Sequence, residues 1–118
     1  MKAVLFDLDG TLLPMDQEVF VKDYLGRMAA FLAPYGYDSD KLIKAVWKGT
    51  GAMVQNDGKA RNEDVFWQVF NDMMEKDARQ DSALFEEFYR GDFQKARQSC
   101  GFQPAAAPAV REIRSLGY

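Results

Sequence analysis

Residues Phe6-Asp7-Leu8-Asp9-Gly10-Thr11-Leu12-Leu13 hold two carboxylates one residue apart, followed at once by a glycine and a hydroxyl side chain. In an extended backbone the i and i+2 side chains point the same way, so Asp7 and Asp9 can address one site. Two such carboxylates attract a hard, oxygen-seeking cation such as magnesium. They can also divide the labour of catalysis, one as an ionised nucleophile and the other as a proton donor. Gly10 lets the chain turn sharply after them. Thr11 brings a hydroxyl and a backbone amide near where a phosphate oxygen could rest. Asp-x-Asp-Gly-Thr arises by chance in about one chain in a thousand of this length. The plain alternative is that two aspartates end a strand and Gly10-Thr11 forms a turn.

The composition narrows what else the chain can do. Hydrophobic residues at 47% and charged residues at 28% are those of a folded domain rather than a disordered chain. A net charge of -3 gives no basic footprint for nucleic acid. Histidine is absent, so an imidazole base, a His-ligated zinc and a Ser-His-Asp triad are excluded within these 118 residues, and carboxylates must do any acid–base work. The single cysteine, Cys100, forms no intrachain disulfide. The apolar run after Lys2 ends at Asp7, too early for a secretory segment. Both observations point to a reducing, cytoplasmic setting. No stretch is long enough to span a membrane.

The elements that would position the two aspartates follow from the pattern. Lys2 to Phe6 reads as a strand buried on both faces, the kind found in parallel sheets, so the aspartates would sit at its C-terminal end, where open α/β sheets bind ligands. Pro14 marks a turn. From Asp16, a plausible N-cap, Phe20, Tyr24, Met28, Phe31 and Leu32 recur at helical spacing, and Pro34 and Gly36 close that helix. Ser39 is expected to cap a second helix with Leu42, Ile43, Val46 and Trp47 on its apolar face. Gly49-Thr50-Gly51 is expected to interrupt or end it. Asn56 to Gly58 reads as a turn. Asn62 opens a third helix through Phe66 and Phe70, with Glu63 and Asp64 in its acidic first turn. Asp81 or Ser82 starts a fourth through Phe85 and Phe88. A further helical stretch reaches about Gln98, and Pro108 to Leu116 is a last helix with Gly117 at its C-terminal cap.

Phe-Asp-Leu-Asp-Gly-Thr-Leu near the N-terminus resembles the first signature motif of the haloacid dehalogenase superfamily. The resemblance implies an α/β fold: a Rossmann-like parallel-sheet core represented here by its first strand and a return helix, with an inserted α-helical cap. On that reading residues 1–15 are the first core strand and catalytic loop, 16–100 the cap, and 101–118 a connector and the return helix. It implies that Asp7 attacks a phosphoryl group to give an aspartyl phosphate, and that Asp9 protonates the leaving oxygen and then activates water. Magnesium would be held by the Asp7 carboxylate and the Asp9 backbone carbonyl, with Thr11 ordering the loop. Asp at position 9 favours phosphatase or phosphomutase chemistry over dehalogenation.

Of the four motifs of that family only the first occurs here. The Ser or Thr on a second core strand, the Lys and the completing acidic pair are absent, and neither Thr50 nor Ser115 closes an apolar strand. The chain is therefore expected to be the N-terminal part of a magnesium-dependent phosphatase for a small phosphorylated metabolite, inactive alone and completed by a complementary C-terminal fragment. The alternative from another class is a non-catalytic helical interaction module that retains an acidic loop. Lys48, beside Gly49-Thr50-Gly51, could meet an anionic substrate from a flexible loop, although two glycines ending a helix is the simpler reading. The segment is no P-loop, which needs a different glycine spacing. Lys59 and Arg61 read as solvated turn residues, and Trp47 and Trp67 as helical core. No nucleic acid, and no membrane, is expected as a partner.

Overall fold

A computed structural model describes residues 3–118 as helices joined by turns: α1 (Gln17–Leu32), α2 (Ser39–Val54), α3 (Asn62–Met74), α4 (Ser82–Arg90) and α5 (Ala106–Ser115), with 3₁₀ turns at Ala33–Tyr35, Ala78–Asp81 and Asp92–Ser99. The described residues divide into two compact units, 25–94 on the one hand and 3–24 with 95–118 on the other.

The sequence-based expectation of a parallel-sheet core is overturned. Among the described residues there is no strand and no sheet, only isolated bridges of Asp9 with Leu13 and of Met15 with Cys100. Of the expected strand, Lys2 lies outside the described residues, and residues 3–6 take no regular structure. The physical reason is pairing. A strand is stable only when a neighbour takes its N–H and C=O groups and covers its faces, and none of the described residues does so. Leu5 is accordingly 93% exposed, and Val4 and Phe6 are exposed with it.

In the 25–94 unit, local signals set the helix boundaries. α2 is capped by Asp38 rather than Ser39: the Asp38 carboxylate accepts the Lys41 N–H at 2.8 Å, and Ser39 is the first helical residue. α3 ends at Glu75, which adopts the left-handed conformation and donates its N–H to the Asn71 carbonyl. The two helices make the most extensive helix–helix contact of the chain. Leu42, Ala45 and Gly49 form the buried stripe of α2. α2 continues through Gly49 and Gly51 to Val54, against the expectation that these glycines end it. Gly49 serves packing: a Cβ there would lie 2.6 Å from Cδ2 of Phe66. That ring is itself fixed, stacked on Phe70 at 5.4 Å and edge-on to Trp67 at 5.6 Å. Phe70 and Phe85 meet edge to face, and Phe85 meets Tyr37 in the same way. Such aromatic pairs contribute about 0.5–1.5 kcal/mol each beyond their burial.

One polar cluster closes this unit. The buried Tyr37 donates its hydroxyl to Asp81 Oδ2 at 2.6 Å, and Lys76 Nζ reaches the same oxygen at 2.7 Å while lying 3.8 Å from the Tyr37 ring centroid. Burial, then the bond to Asp81, pushes the Tyr37 phenol up to about 12. The bonds from Lys76 and Tyr37 hold the Asp81 carboxyl below its ordinary value. Asn71 fastens the adjoining turn, accepting the Ala78 N–H and donating to Asp77.

In the other unit, Asp16 caps α1 as its position suggests, its carboxylate accepting the Val19 N–H at 3.0 Å. Ser99 bonds Asp23 and its own turn's Ala96 carbonyl. The Gly101 N–H donates to the Pro14 carbonyl at 2.6 Å, beside the Met15–Cys100 bridge. The N-terminal loop is thereby tied at Pro14 and Met15 to residues 100–101. α5 buries no residue.

Two substitutions separate the roles of the α2 glycines. Gly49→Ala forces the Phe66 ring to move, and overpacking of about 1–3 kcal/mol outweighs the gain in helix propensity of up to about 1 kcal/mol. It is expected to lower the midpoint of urea unfolding. Gly51→Ala meets nothing within 4 Å and is expected to raise that midpoint, in step with a stability gain of up to about 1 kcal/mol. A rise, or no change, for Gly49→Ala would contradict the close approach.

The tyrosine cluster makes a pH-dependent statement. A phenol raised on folding gives stability that is whole below its unfolded value near 10 and is lost as pH climbs through about 12. Tyr37→Phe is expected to cost about 1 kcal/mol at neutral pH. Alkaline unfolding curves should converge for the two proteins above pH 10. A constant difference across that range would contradict the Tyr37–Asp81 bond.

Candidate functional site

Asp7, Asp9 and Thr11 lie in a turn whose shape is set by the backbone. Thr11 N–H and Leu13 N–H both donate to the Leu8 carbonyl, at 3.2 and 2.9 Å, and Gly10 N–H donates to the Leu13 carbonyl at 2.8 Å. Gly10 sits at φ +79°, a conformation that side-chain-bearing residues rarely adopt. Inside this turn Thr11 Oγ1 donates to Asp7 Oδ2 at 2.8 Å. Residues 3–11 are all exposed, so both carboxylates face water.

A turn begins at Leu8, between the two aspartates. What the structure brings together is Asp7 with Thr11. Among the described residues no group of three or more His, Cys, Asp or Glu side chains is placed to hold a metal ion. A magnesium ion held at Asp7 and Asp9 would keep most of its six oxygen ligands as water.

Lys48 belongs to the other unit and lies within α2, not on a flexible loop. It lines an open groove of about 510 Å³ with Trp47, Gly51 and Ala52 of α2, its C-cap Gln55, and Val69 of α3. Trp47, expected in the core, is 57% exposed. Lys59 pairs with Asp57, and Arg61 with Asp64, whose carboxylate also meets Arg79. Those turn cations are thus engaged locally. No helix among the described residues is long and apolar enough to cross a membrane.

Sequence reasoning missed the groove, although its signal was available. The buried stripe Leu42, Ala45, Gly49 follows helical spacing. Trp47 falls about 140° from Leu42 around a helix, off that stripe, with Gly51 and Gln55 at successive i+4 steps.

No family model, curated protein or solved structure matches the chain.

Proposed function

We propose that the acidic loop serves phosphoryl transfer, with Asp7 as the nucleophile of a cytoplasmic phosphatase for small phosphate monoesters. The observation that carries the reading is the pre-formed turn in which Thr11 Oγ1 donates to Asp7 Oδ2 while Gly10 takes the left-handed conformation. The turn gives the Asp-x-Asp-Gly-Thr residues a fixed local geometry, and the threonine bond orients one carboxylate oxygen while the other is left for attack. The motif's resemblance to the haloacid dehalogenase superfamily supports the same chemistry.

In the proposed reaction an Asp7 oxygen attacks phosphorus, the ester P–O bond breaks, and the leaving alkoxide takes a proton from Asp9. Water then attacks the aspartyl phosphate, giving its proton to Asp9, and inorganic phosphate leaves with Asp7 restored. Phosphomutase chemistry shares the first half of this sequence. A magnesium ion would offset charge on the transferring group, held at Asp7 and Asp9 with waters and the substrate phosphate completing its shell. By the resemblance, repeated turnover would need further oxygen ligands, and a lysine, from a complementary segment, whereas a single phosphoryl transfer to Asp7 from an activated donor would not.

A second reading is favoured by exposed apolar residues in the unit that carries the loop. Leu5 at 93% and Phe102 at 87% exposure, with Leu8 and Leu116 also exposed, suit a helical interaction module without catalysis.

Phosphoryl capture distinguishes the two. The 118-residue chain is expected to turn over no aryl phosphate by itself. With acetyl phosphate and magnesium it is expected to gain one phosphoryl group, seen by acid-quenched mass spectrometry and mapped to Asp7. Asp7→Asn should abolish the adduct. An adduct that persists in Asp7→Asn, or none in the parent chain, would contradict the nucleophile and leave the interaction module.

A further inference from the structure

Gly49 and Gly51 sit two residues apart in the same helix, and only one of them has a structural reason. Gly49 admits the Phe66 ring, whereas a Cβ at Gly51 would meet nothing within 4 Å. A glycine in a helix interior costs about 1 kcal/mol relative to alanine, so Gly51 weakens α2 with no packing return. It lies instead in the groove, where the missing side chain keeps the α2 wall low.

The rest of the lining is of mixed and complementary character. Trp47 offers a large aromatic surface, 57% exposed, in a place where burial would stabilise it. Ala52 and Val69 supply a small apolar floor. Lys48 is exposed and has no ion-pair partner among the described residues, and the C-cap residue Gln55 adds an amide to the lining. About 10 Å of axial rise separates the backbone positions of the two. A volume of about 510 Å³ is within the range of small-molecule sites.

We infer that this α2–α3 groove binds a small planar aromatic anion, its ring stacked on the Trp47 indole over Gly51 and its negative group on the Lys48 ammonium. A flat ring matches the indole face and the space that Gly51 leaves open, and stacking of this kind favours offset aromatic contact. The ammonium selects for charge, since it is the unpaired cation in the lining. The inference stands apart from the acidic loop: it uses residues of the 25–94 unit only and needs no phosphoryl chemistry.

Naphthalene-2-carboxylate is a suitable probe, with the neutral naphthalene-2-carboxamide as its comparator. Titration of the 118-residue chain, followed by amide and indole N–H resonances in two-dimensional NMR, should show saturable shifts at the Trp47 indole and at the Gly51 and Ala52 amides. The carboxylate should bind about tenfold more tightly than the amide, and Lys48→Met should erase that preference. Gly51→Leu fills the groove and should weaken the carboxylate by about tenfold or more, while circular dichroism shows the helix content retained. Overturning results would be no saturable shift at millimolar probe, shifts centred elsewhere, equal binding of acid and amide, or undiminished binding by a folded Gly51→Leu variant.

Discussion

The 25–94 unit depends on the place where α2 passes under the ring of Phe66, a distance that only a residue without a side chain permits. A Cβ at Gly49 would overlap the ring edge, so the two helices could not keep this separation. With the ring so placed, Phe66 stacks on Phe70, and Phe70, Trp67 and Phe85 pack edge to face around one another. Phe70 is only 1% exposed, and burial of a side chain of that size contributes about 1.5–3 kcal/mol. The same contact determines what faces outward. Turning Leu42, Ala45 and Gly49 inward places Trp47, Gly51 and Gln55 on the groove beside Val69.

The acidic loop is built on a different principle. Its shape comes from backbone bonds within Leu8–Leu13 and from the left-handed Gly10, not from burial. Asp7 and Thr11 are exposed, so their bond competes with water and carries orientation more than stability. Pro14 and Met15, fastened to Gly101 and Cys100, fix the end of the loop nearest α1. The chemistry proposed for Asp7 would start from a turn ordered by backbone bonds, in which Thr11 meets Asp7.

What could be read from the residues followed from how local each signal is. Asp16 as a cap, Gly36 as a helix stop and the helical spacing of Phe66, Phe70, Phe85 and Phe88 act over a few residues, and the structure shows each of them. The strand at the N-terminus was misjudged because an apolar run states only that burial would be favourable. Pairing is a non-local condition, and no described residue supplies it. Gly49-Thr50-Gly51 was misread for a related reason: glycine disfavours a helix locally, but the α2–α3 contact outweighs that cost. Asp38 rather than Ser39 caps α2 because the chain is extended at Asp38, one residue before the expected position. Within the candidate site, the residue types of Asp7 and Thr11 were legible, whereas their hydrogen bond required the turn itself.

The continuity of α2 through its two glycines underlies both the aromatic core and the groove, and native-state hydrogen exchange at residues 51–54 tests it most directly. In an unbroken helix these amides donate to carbonyls four residues earlier and should exchange slowly, with protection similar to that of residues 44–48. Exchange of 51–54 at the rate of unstructured backbone, beside a protected 44–48, would show that the helix ends at Gly49 and that neither the Phe66 contact nor the groove exists as described.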